Sequence, residues 1–161
     1  MQTYLPHVNF TASAAILDPV RLNKQIVEAY QILTGRVPND NHPACLMWRA
    51  HDGRLWKYLM ACCREYTRRT GKIHSCQLDG WQVRSHTRPA WLGQPIFHLA
   101  HRINLLRKAQ EHYAALAADI PCPDLDAYPT GYYWPVEPVG KKAQADRAAW
   151  IAWAEKNGVE V

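Results

Sequence analysis

Helix start and stop signals divide this chain, and they constrain its fold more than any other feature. Asp18 before Pro19 is a helix start, because an Asp side chain caps free N–H groups and proline suits the first turn. Apolar residues then recur at helical spacing until Gly35, which favours a helix end. No run of alternating apolar and polar residues predicts strands. The chain is therefore predicted to be mainly α.

Similar signals predict three further helices. Asn41-His42-Pro43 opens a helix that is predicted to run to about Thr70, with a kink or break at Asp52-Gly53. A third helix is predicted over about residues 96–118, and a last one within residues 140–157. The other segments are predicted to be irregular, and they are an extended N-terminal arm over 1–16, a loop-rich connection over 72–95 and a proline- and aromatic-rich loop over 119–139.

Length and composition predict a compact single globular domain over residues 1–161. Of the 161 residues, 48% are apolar and 20% are charged, which is typical of a globular chain and not of a disordered one. No apolar run is long enough to span a membrane, and no secretory signal pattern is visible, so we expect a cytoplasmic protein without membrane association. Five cysteines that lack a C-x-x-C spacing favour reduced thiols.

Positive charge is concentrated in the middle of the chain. Residues 44–113 carry twelve Lys and Arg residues against four acids, whereas residues 114–139 carry four acids and no Lys or Arg. A polyanion such as DNA would be attracted to the basic part. The alternative is an ordinary solvated basic helix face, since such patterns are common on surfaces.

Standard catalytic motifs are absent. The sequence contains no phosphate-binding glycine loop and no G-x-S-x-G motif. His98 and His101 stand at i and i+3 on the predicted third helix and could begin a metal site, but the spacing is not that of H-E-x-x-H and further ligands would be needed. Ordinary hydrogen-bonded histidines are the simpler interpretation, so no metal and no cofactor is predicted.

Four segments together resemble the bacteriophage endonuclease V, or pyrimidine-dimer DNA glycosylase, family and its bacterial relatives. They are LDxxRLxKQxxEAxQIL over 17–33, His42-Pro43, PAWLG over 89–93 and HRxNLLRK over 101–108. The resemblance extends over roughly residues 1–113 and is strongest in the first predicted helix. It implies a compact, single-domain helical fold that kinks double-stranded DNA, extrudes a nucleotide, cleaves an N-glycosidic bond and can then nick the abasic strand.

The resemblance also assigns catalytic residues. An ungapped alignment of the first helices puts Glu28 on the family's catalytic glutamate and Arg21 where the family has a histidine. A carboxylate beside C1′ can stabilise the positive charge that develops as the glycosidic bond breaks. Without the resemblance, the simpler interpretation of Glu28 is an i,i+4 ion pair with Lys24 on a solvated face.

The nucleophile is less clearly assigned. The family uses the α-amine of a small residue exposed by removal of Met, but Gln2 is bulky and should leave Met1 in place. Amines of this class have a reference pKa of about 7.7–8.0, so part of the population is neutral near pH 7. The candidates are the Met1 amine first, a water molecule in a monofunctional enzyme second, and Lys24 third. The arm before the first helix is also longer than in the family.

DNA binding requires phosphate contacts and aromatic or polar groups near the extruded nucleotide. The residues predicted to contact DNA are Arg21, Lys24, Gln25, His42, Arg49, Arg54, Lys57, Arg102, Arg107 and Lys108. Tyr132, Tyr133 and Trp134 either stack on bases or pack in the core. We expect a monomer that needs no protein partner. The alternatives are a non-catalytic basic DNA-binding protein on the same scaffold, and a metal-assisted nuclease built on His98 and His101.

Overall fold

A computed structural model describes all residues from 1 to 161. It contains six α-helices, two short 3-10 helices and no strand, so the mainly α prediction is confirmed. The helices are α1 (Phe10–Ile16), α2 (Pro19–Thr34), α3 (Pro43–Trp48), α4 (Asp52–Thr70), α5 (Pro95–Lys108) and α6 (Lys141–Asn157), with 3-10 helices at Ala114–Asp119 and Leu125–Ala127. None of these helices combines the length and apolar composition that a membrane-spanning segment needs.

The chain forms two compact units, Met1–Pro89 and Ala90–Val161. Each unit has its own buried residues, and they are described separately below. That all 161 residues act as one domain stays a prediction.

Helix α2 begins and ends where its signals place it. The Asp18 carboxylate accepts the backbone N–H of Arg21 at 2.8 Å and also pairs with the Arg21 guanidinium, so the cap satisfies an N–H group that the helix itself leaves unpaired. Gly35 ends the helix in the left-handed region with φ 68°. The buried face of α2 includes Gln25 and Glu28, two residues that composition alone would place in solvent.

The N-terminal arm is not extended throughout, which corrects the prediction for residues 1–16. Its second half forms α1, because the Asn9 side chain accepts the N–H of Ala12 at 3.0 Å and starts a helix rich in alanine. Only the residues before this turn stay irregular. The polar stretch beginning at Asn9 is therefore a helix cap and a first turn.

The long second helix is also interrupted, earlier than at the predicted break. Helix α3 ends at Trp48, Ala50 adopts φ 64°, and α4 begins at Asp52. The Asp52 carboxylate accepts the N–H groups of Arg84 and Ser85 at 2.7 and 2.9 Å, which binds the later loop to the start of α4. Gly53 is required there, since a Cβ atom would collide with the Ser85 carbonyl oxygen.

In the unit Met1–Pro89, α4 packs against α1 and α2. Tyr58 lies fully buried at the centre of this packing. The edge of its ring faces Phe10, with centroids 5.6 Å apart, and Trp48 stacks beside it at 6.4 Å. These three aromatic rings join α1, α3 and α4 into one apolar core next to the N-terminal residues.

In the unit Ala90–Val161, the third predicted helix ends at Lys108, ten residues earlier than predicted. A separate 3-10 helix follows at Ala114–Asp119. The Arg107 guanidinium binds the backbone carbonyls of Pro129 and Tyr128 at 2.8 and 2.9 Å, and that of Leu125. The irregular 119–139 segment is thus held by α5. The C-terminal helix is confirmed as α6, with Trp150 fully buried.

Candidate active site

Glu28 is a buried carboxylate on the face of α2 that the first residues of the chain cover. Only 6% of the residue is exposed. Its Oε2 atom accepts the backbone N–H of Gln2 at 3.1 Å, and its Oε1 atom lies 4.0 Å from Nζ of Lys24. The carboxylate therefore stands one residue away from the α-amine of Met1, because Gln2 is the next residue along the chain.

The chain start is attached to α2 and α3 by side chains as well. Oε1 of Gln25 accepts the N–H of Tyr4 at 2.7 Å, and Nε2 of Gln25 donates to the carbonyl of Gln2 at 2.8 Å. Nε1 of Trp48 donates to the Thr3 hydroxyl at 3.0 Å. Residues 2–6 are all buried. The first residues of this protein are thus a structural part of the site.

The environment of Glu28 disfavours its charge. Burial raises the pKa of the Glu28 carboxyl above its ordinary value of 4.5, although the Gln2 N–H, the α-amine of Met1 and Lys24 oppose the shift. A carboxyl group whose pKa is perturbed by burial and by a specific charge partner is typical of a functional site. This carboxylate is also partly held in one orientation by its backbone hydrogen bond.

The positive charge of the α-amine also affects the pKa values of two groups near the start of α3. Burial and this charge both lower the pKa of His42, which favours the neutral imidazole. Its Nδ1 accepts the N–H of Ala44 at 3.1 Å, which leaves the ring hydrogen on Nε2. Burial raises the pKa of the Cys45 thiol, and the amine charge acts in the opposite direction. The amine of Met1 thus acts on Glu28, His42 and Cys45.

Arg21 and Lys24, the other two predicted catalytic residues, lie on the more exposed side of α2. The Arg21 guanidinium pairs with Asp18 and reinforces the helix cap. The Lys24 side chain is 67% exposed and approaches Glu28 only at 4.0 Å. Of the four predicted catalytic residues, the structure brings Met1, Lys24 and Glu28 together and directs Arg21 towards the start of α2.

The predicted DNA contacts of the first unit divide into buried and exposed groups. Gln25 is 1% exposed and both of its side-chain polar atoms bond within the protein, so the structure does not support a DNA contact by this residue. Arg54 is half-buried at the start of α4, and Arg49 and Lys57 are exposed. Arg49 lines a cavity of about 360 Å³ together with Trp48 and Arg84.

Two arginines near the end of α4 pair with an acidic residue of the same helix. Arg68 and Arg69 both bind Glu65, with closest distances of 2.7 and 2.6 Å. Lys57 and Arg64, on the same helix, are exposed and line a cavity of about 400 Å³. Of these four residues, only Arg69 lies largely within the protein, whereas Arg68, Lys57 and Arg64 are exposed.

In the second unit, Arg102 and Arg107 are half-buried and bind backbone carbonyls, whereas Lys108 is exposed. His98 and His101 are buried, and Nε2 of His98 accepts the N–H of Gly93 at 3.1 Å. Neither belongs to a group of three or more His, Cys, Asp or Glu residues with the geometry of a metal site. Tyr133 and Trp134 are buried in the core, which is the packing alternative that the sequence left open.

Sequence reasoning missed the residues that hold the chain start in place. The Tyr58 hydroxyl lies 2.8 Å from both the Tyr4 carbonyl oxygen and Oε1 of Gln25. Its position three residues after Leu55 places it on the apolar face of α4, so helical spacing could have identified it as a core residue. No sequence signal indicates the contact between Thr3 and Trp48, because the two residues are far apart in the chain.

The match with known proteins falls on the part of the chain that builds this site. Residues 1–77 match the pyrimidine dimer DNA glycosylase family. The resemblance to the endonuclease V-like family is confirmed over this segment, which contains Met1, Glu28 and His42. The match supports a DNA glycosylase with DNA as its substrate. No curated protein and no solved structure matches the chain.

Proposed function

We propose that this protein is a DNA glycosylase that excises a damaged or modified pyrimidine, with the ultraviolet-induced pyrimidine dimer as the first candidate, and that the Met1 α-amine displaces the base and forms an imine at C1′. The hydrogen bond from the Gln2 N–H to Glu28 carries this proposal. It holds the start of the chain against a buried carboxylate, within the segment that matches the glycosylase family.

Glu28 has the position and environment to assist base release. Breaking the glycosidic bond develops positive charge at C1′ and on the sugar ring oxygen, and an ionised carboxylate beside these atoms stabilises that charge. The effect is large in a water-poor site, since Coulomb interactions increase as the effective dielectric constant falls. The positive charges of Met1 and Lys24 favour the ionised carboxylate that this role requires.

The Met1 amine supplies the nucleophile that displaces the base. Its lone pair attacks C1′, the bond from C1′ to the base breaks, and the base leaves with the bonding electrons and is protonated. The sugar ring then opens, the ring oxygen takes a proton, and C1′ is left as an imine with the protein. Removal of a C2′ proton by a base expels the 3′ phosphate and cuts the strand, and we assign the role of that base to Glu28.

Lys24 and water are the alternatives for the nucleophile. Nζ of Lys24 also lies 4.0 Å from Glu28, but its side chain is two-thirds exposed and no other contact fixes it in the site. The Met1 amine is favoured because the next residue along the chain is bound to the carboxylate. A water nucleophile would release the base and leave no covalent intermediate.

Double-stranded DNA is the proposed partner, bound by a monomer. Arg49, Lys57 and Arg64 are exposed basic groups in the same unit as Glu28, and each could contact a phosphate. Such contacts should make binding weaken steeply with salt. Their replacement should weaken binding to all DNA sequences alike, since phosphates carry no base information.

The test is incubation of the protein with ultraviolet-irradiated and undamaged duplex DNA, with borohydride added to trap an imine. Peptide mass spectrometry then locates the cross-link. We expect a cross-link at Met1, on irradiated DNA only, and its loss when the α-amine is acetylated. The matched control is Lys24→Met, which removes the other nearby amine and should keep the cross-link.

Each other outcome selects an alternative. Base release without a cross-link means a monofunctional glycosylase that uses water. A cross-link at Lys24 assigns the nucleophile to that residue. Salt-sensitive binding without base release or cross-link contradicts the enzyme proposal and leaves the non-catalytic DNA-binding alternative.

A further inference from the structure

We infer that Gln25 is a positioning residue, which fixes the first residues of the chain so that the Met1 α-amine stays beside Glu28. The inference rests on the proposed function and adds to it a residue that acts through the arm, defined here as residues 1–5. Gln25 stands three residues before Glu28 on α2, so the two side chains project from the same face of the helix.

The contacts of Gln25 have the pattern of strand pairing. Its side-chain amide donates to the Gln2 carbonyl at 2.8 Å and accepts the Tyr4 N–H at 2.7 Å. These two backbone groups flank Thr3, and a neighbouring parallel strand would bind the same pair through the N–H and C=O of one residue. The carboxamide therefore replaces the strand neighbour that the arm lacks.

Only a carboxamide of this length can make both bonds. A carboxylate offers acceptors alone and would place a second negative charge close to Glu28, while an aliphatic side chain offers neither group. The buried N–H of Tyr4 and carbonyl of Gln2 would then lose their partners, which is costly away from water. The arm would leave α2 more easily, and the amine would leave the carboxylate with it.

Tyr58 supports the same arrangement from α4. Its hydroxyl lies 2.8 Å from Oε1 of Gln25 and from the carbonyl oxygen of Tyr4. Tyr58 is fully buried, so packing around its ring fixes the position of this hydroxyl. The Trp48 contact with Thr3 is a second attachment of the arm, on α3. The amine is thus positioned by side chains of three helices.

A contact between Gln25 and DNA would not explain these observations. The residue is 1% exposed, and its oxygen and nitrogen are both bound inside the protein. A positioning role predicts altered chemistry with unaltered DNA affinity. A DNA contact predicts the reverse, and a purely structural role predicts lower stability with unchanged activity of the folded fraction.

The test compares the full-length wild type with Gln25→Leu and with Gln31→Leu, a matched control on the same helix. Borohydride trapping is measured on a duplex that already contains an abasic site, so that the amine is tested without base excision. Amide hydrogen exchange of residues 2–5 reports whether the arm is held. Base release from irradiated DNA is measured in parallel.

For Gln25→Leu we expect loss of protection at the Tyr4 amide and at least a tenfold lower maximal trapping rate, with an unchanged KM for DNA. Gln31→Leu should resemble the wild type in all three measurements. Tyr58→Phe keeps the buried ring and removes one hydroxyl, so it should give a smaller loss of trapping. This variant tests the inference even where Gln25→Leu does not fold.

Two results would overturn the inference. The first is retained protection of the Tyr4 amide in a folded Gln25→Leu protein. The second is lost protection with trapping as fast as in the wild type. If the wild type itself traps no abasic DNA and releases no base, the proposed function fails, and Gln25 then has no reaction for which to position the amine. The wild-type and variant measurements therefore separate the two failures.

Discussion

Glu28 and Glu65 are two buried glutamates in the same unit, with opposite electrostatic environments. Glu28 is 6% and Glu65 is 7% exposed. The Glu65 carboxylate receives Nε and Nη2 of Arg68 at 2.8 and 2.7 Å and Nε of Arg69 at 2.6 Å. These hydrogen bonds and charges lower the pKa of Glu65, whereas burial raises the pKa of Glu28.

The difference shows how burial of a carboxylate can serve the fold or the chemistry. Two guanidinium groups neutralise Glu65, and Arg69 also binds backbone carbonyls at the end of α1. This cluster therefore links α4 to α1. Glu28 has one backbone N–H, the Gln25 side-chain amide, a lysine at 4.0 Å and the chain's own amine nearby, and no guanidinium group. A charge left with few partners in a buried place is available to a substrate.

The largest expected effect is on catalysis. Glu28→Gln keeps the shape of the side chain and its acceptor for the Gln2 N–H but removes the charge, so base release should fall at least about 100-fold. Binding of irradiated DNA should change little. The rates are measured on a labelled duplex under single-turnover conditions.

The control for this prediction is Glu65→Gln, which should keep the base-release rate per folded molecule. Equal losses for the two variants would contradict the distinction between the two glutamates. A Glu28→Gln protein with normal base release would remove the catalytic assignment.

The second effect is on stability. Arg69→Ala removes the guanidinium that binds the Glu65 carboxylate and the carbonyls of Ala15 and Leu17. It should lower the free energy of unfolding by about 2–4 kcal/mol. Urea unfolding followed by circular dichroism measures it. Arg68 is more exposed, so Arg68→Ala should cost less. A larger loss for Arg68→Ala would contradict the role given to Arg69.

The third effect is a pH dependence of opposite sign for the two glutamates. Because the pKa of Glu65 is lowered on folding, its contribution to stability is present at neutral pH and is lost as the pH falls through the lowered pKa. Because the pKa of Glu28 is raised, the folded state loses stability as the pH rises from 4.5 through the raised pKa.

Unfolding free energies of Glu28→Gln and Glu65→Gln, measured from pH 3 to 7, separate these contributions. At pH 7 the free energy of unfolding of Glu28→Gln should equal or exceed that of the wild type, and that of Glu65→Gln should be lower. Catalysis needs the ionised Glu28, so base release should decline on acidification at a pH above the ordinary 4.5 of a glutamate. A decline only below that value would contradict the assigned environment.

The smallest effect is expected at Lys24. Its ammonium group is 4.0 Å from Glu28 and its side chain is 67% exposed, so Lys24→Met should change the free energy of unfolding by less than about 0.5 kcal/mol. Thermal and urea unfolding measure the change. A loss above about 1 kcal/mol would mean that the pair contributes more than exposed ion pairs usually do.

Local sequence signals predicted a helix well where the residues that begin and end it directly adjoin that helix in the chain. The Asp18 cap and the Gly35 end of α2 are confirmed, as is the C-terminal helix. The prediction was wrong at α1, and it placed the break between α3 and α4 a few residues too late. Asn9 caps a helix within a segment whose polar residues predict an extended arm. The start of α4 depends on hydrogen bonds from a loop thirty residues later to the Asp52 carboxylate.

The candidate site was only partly predictable for the same reason. The family resemblance predicts catalytic roles for Glu28 and Met1, and these roles stay predictions, although both residues lie in the matched segment. The buried role of Gln25 was missed, because a glutamine on a helix with charged neighbours reads as exposed. The sequence similarly predicts a DNA contact for Arg107, but its guanidinium binds backbone carbonyls within its own unit.

The sequence by itself determined the mainly α class, the start and end of α2, the position of the basic segment and the likeness of residues 1–77 to a glycosylase family. Each of these depends on neighbouring residues or on the order of residue types. Only the tertiary structure decided that Gln25 and Glu28 face the chain start, and that Arg69 rather than Lys57 is bound in the core. Such pairings join residues distant in sequence, and burial is set by the elements that pack together.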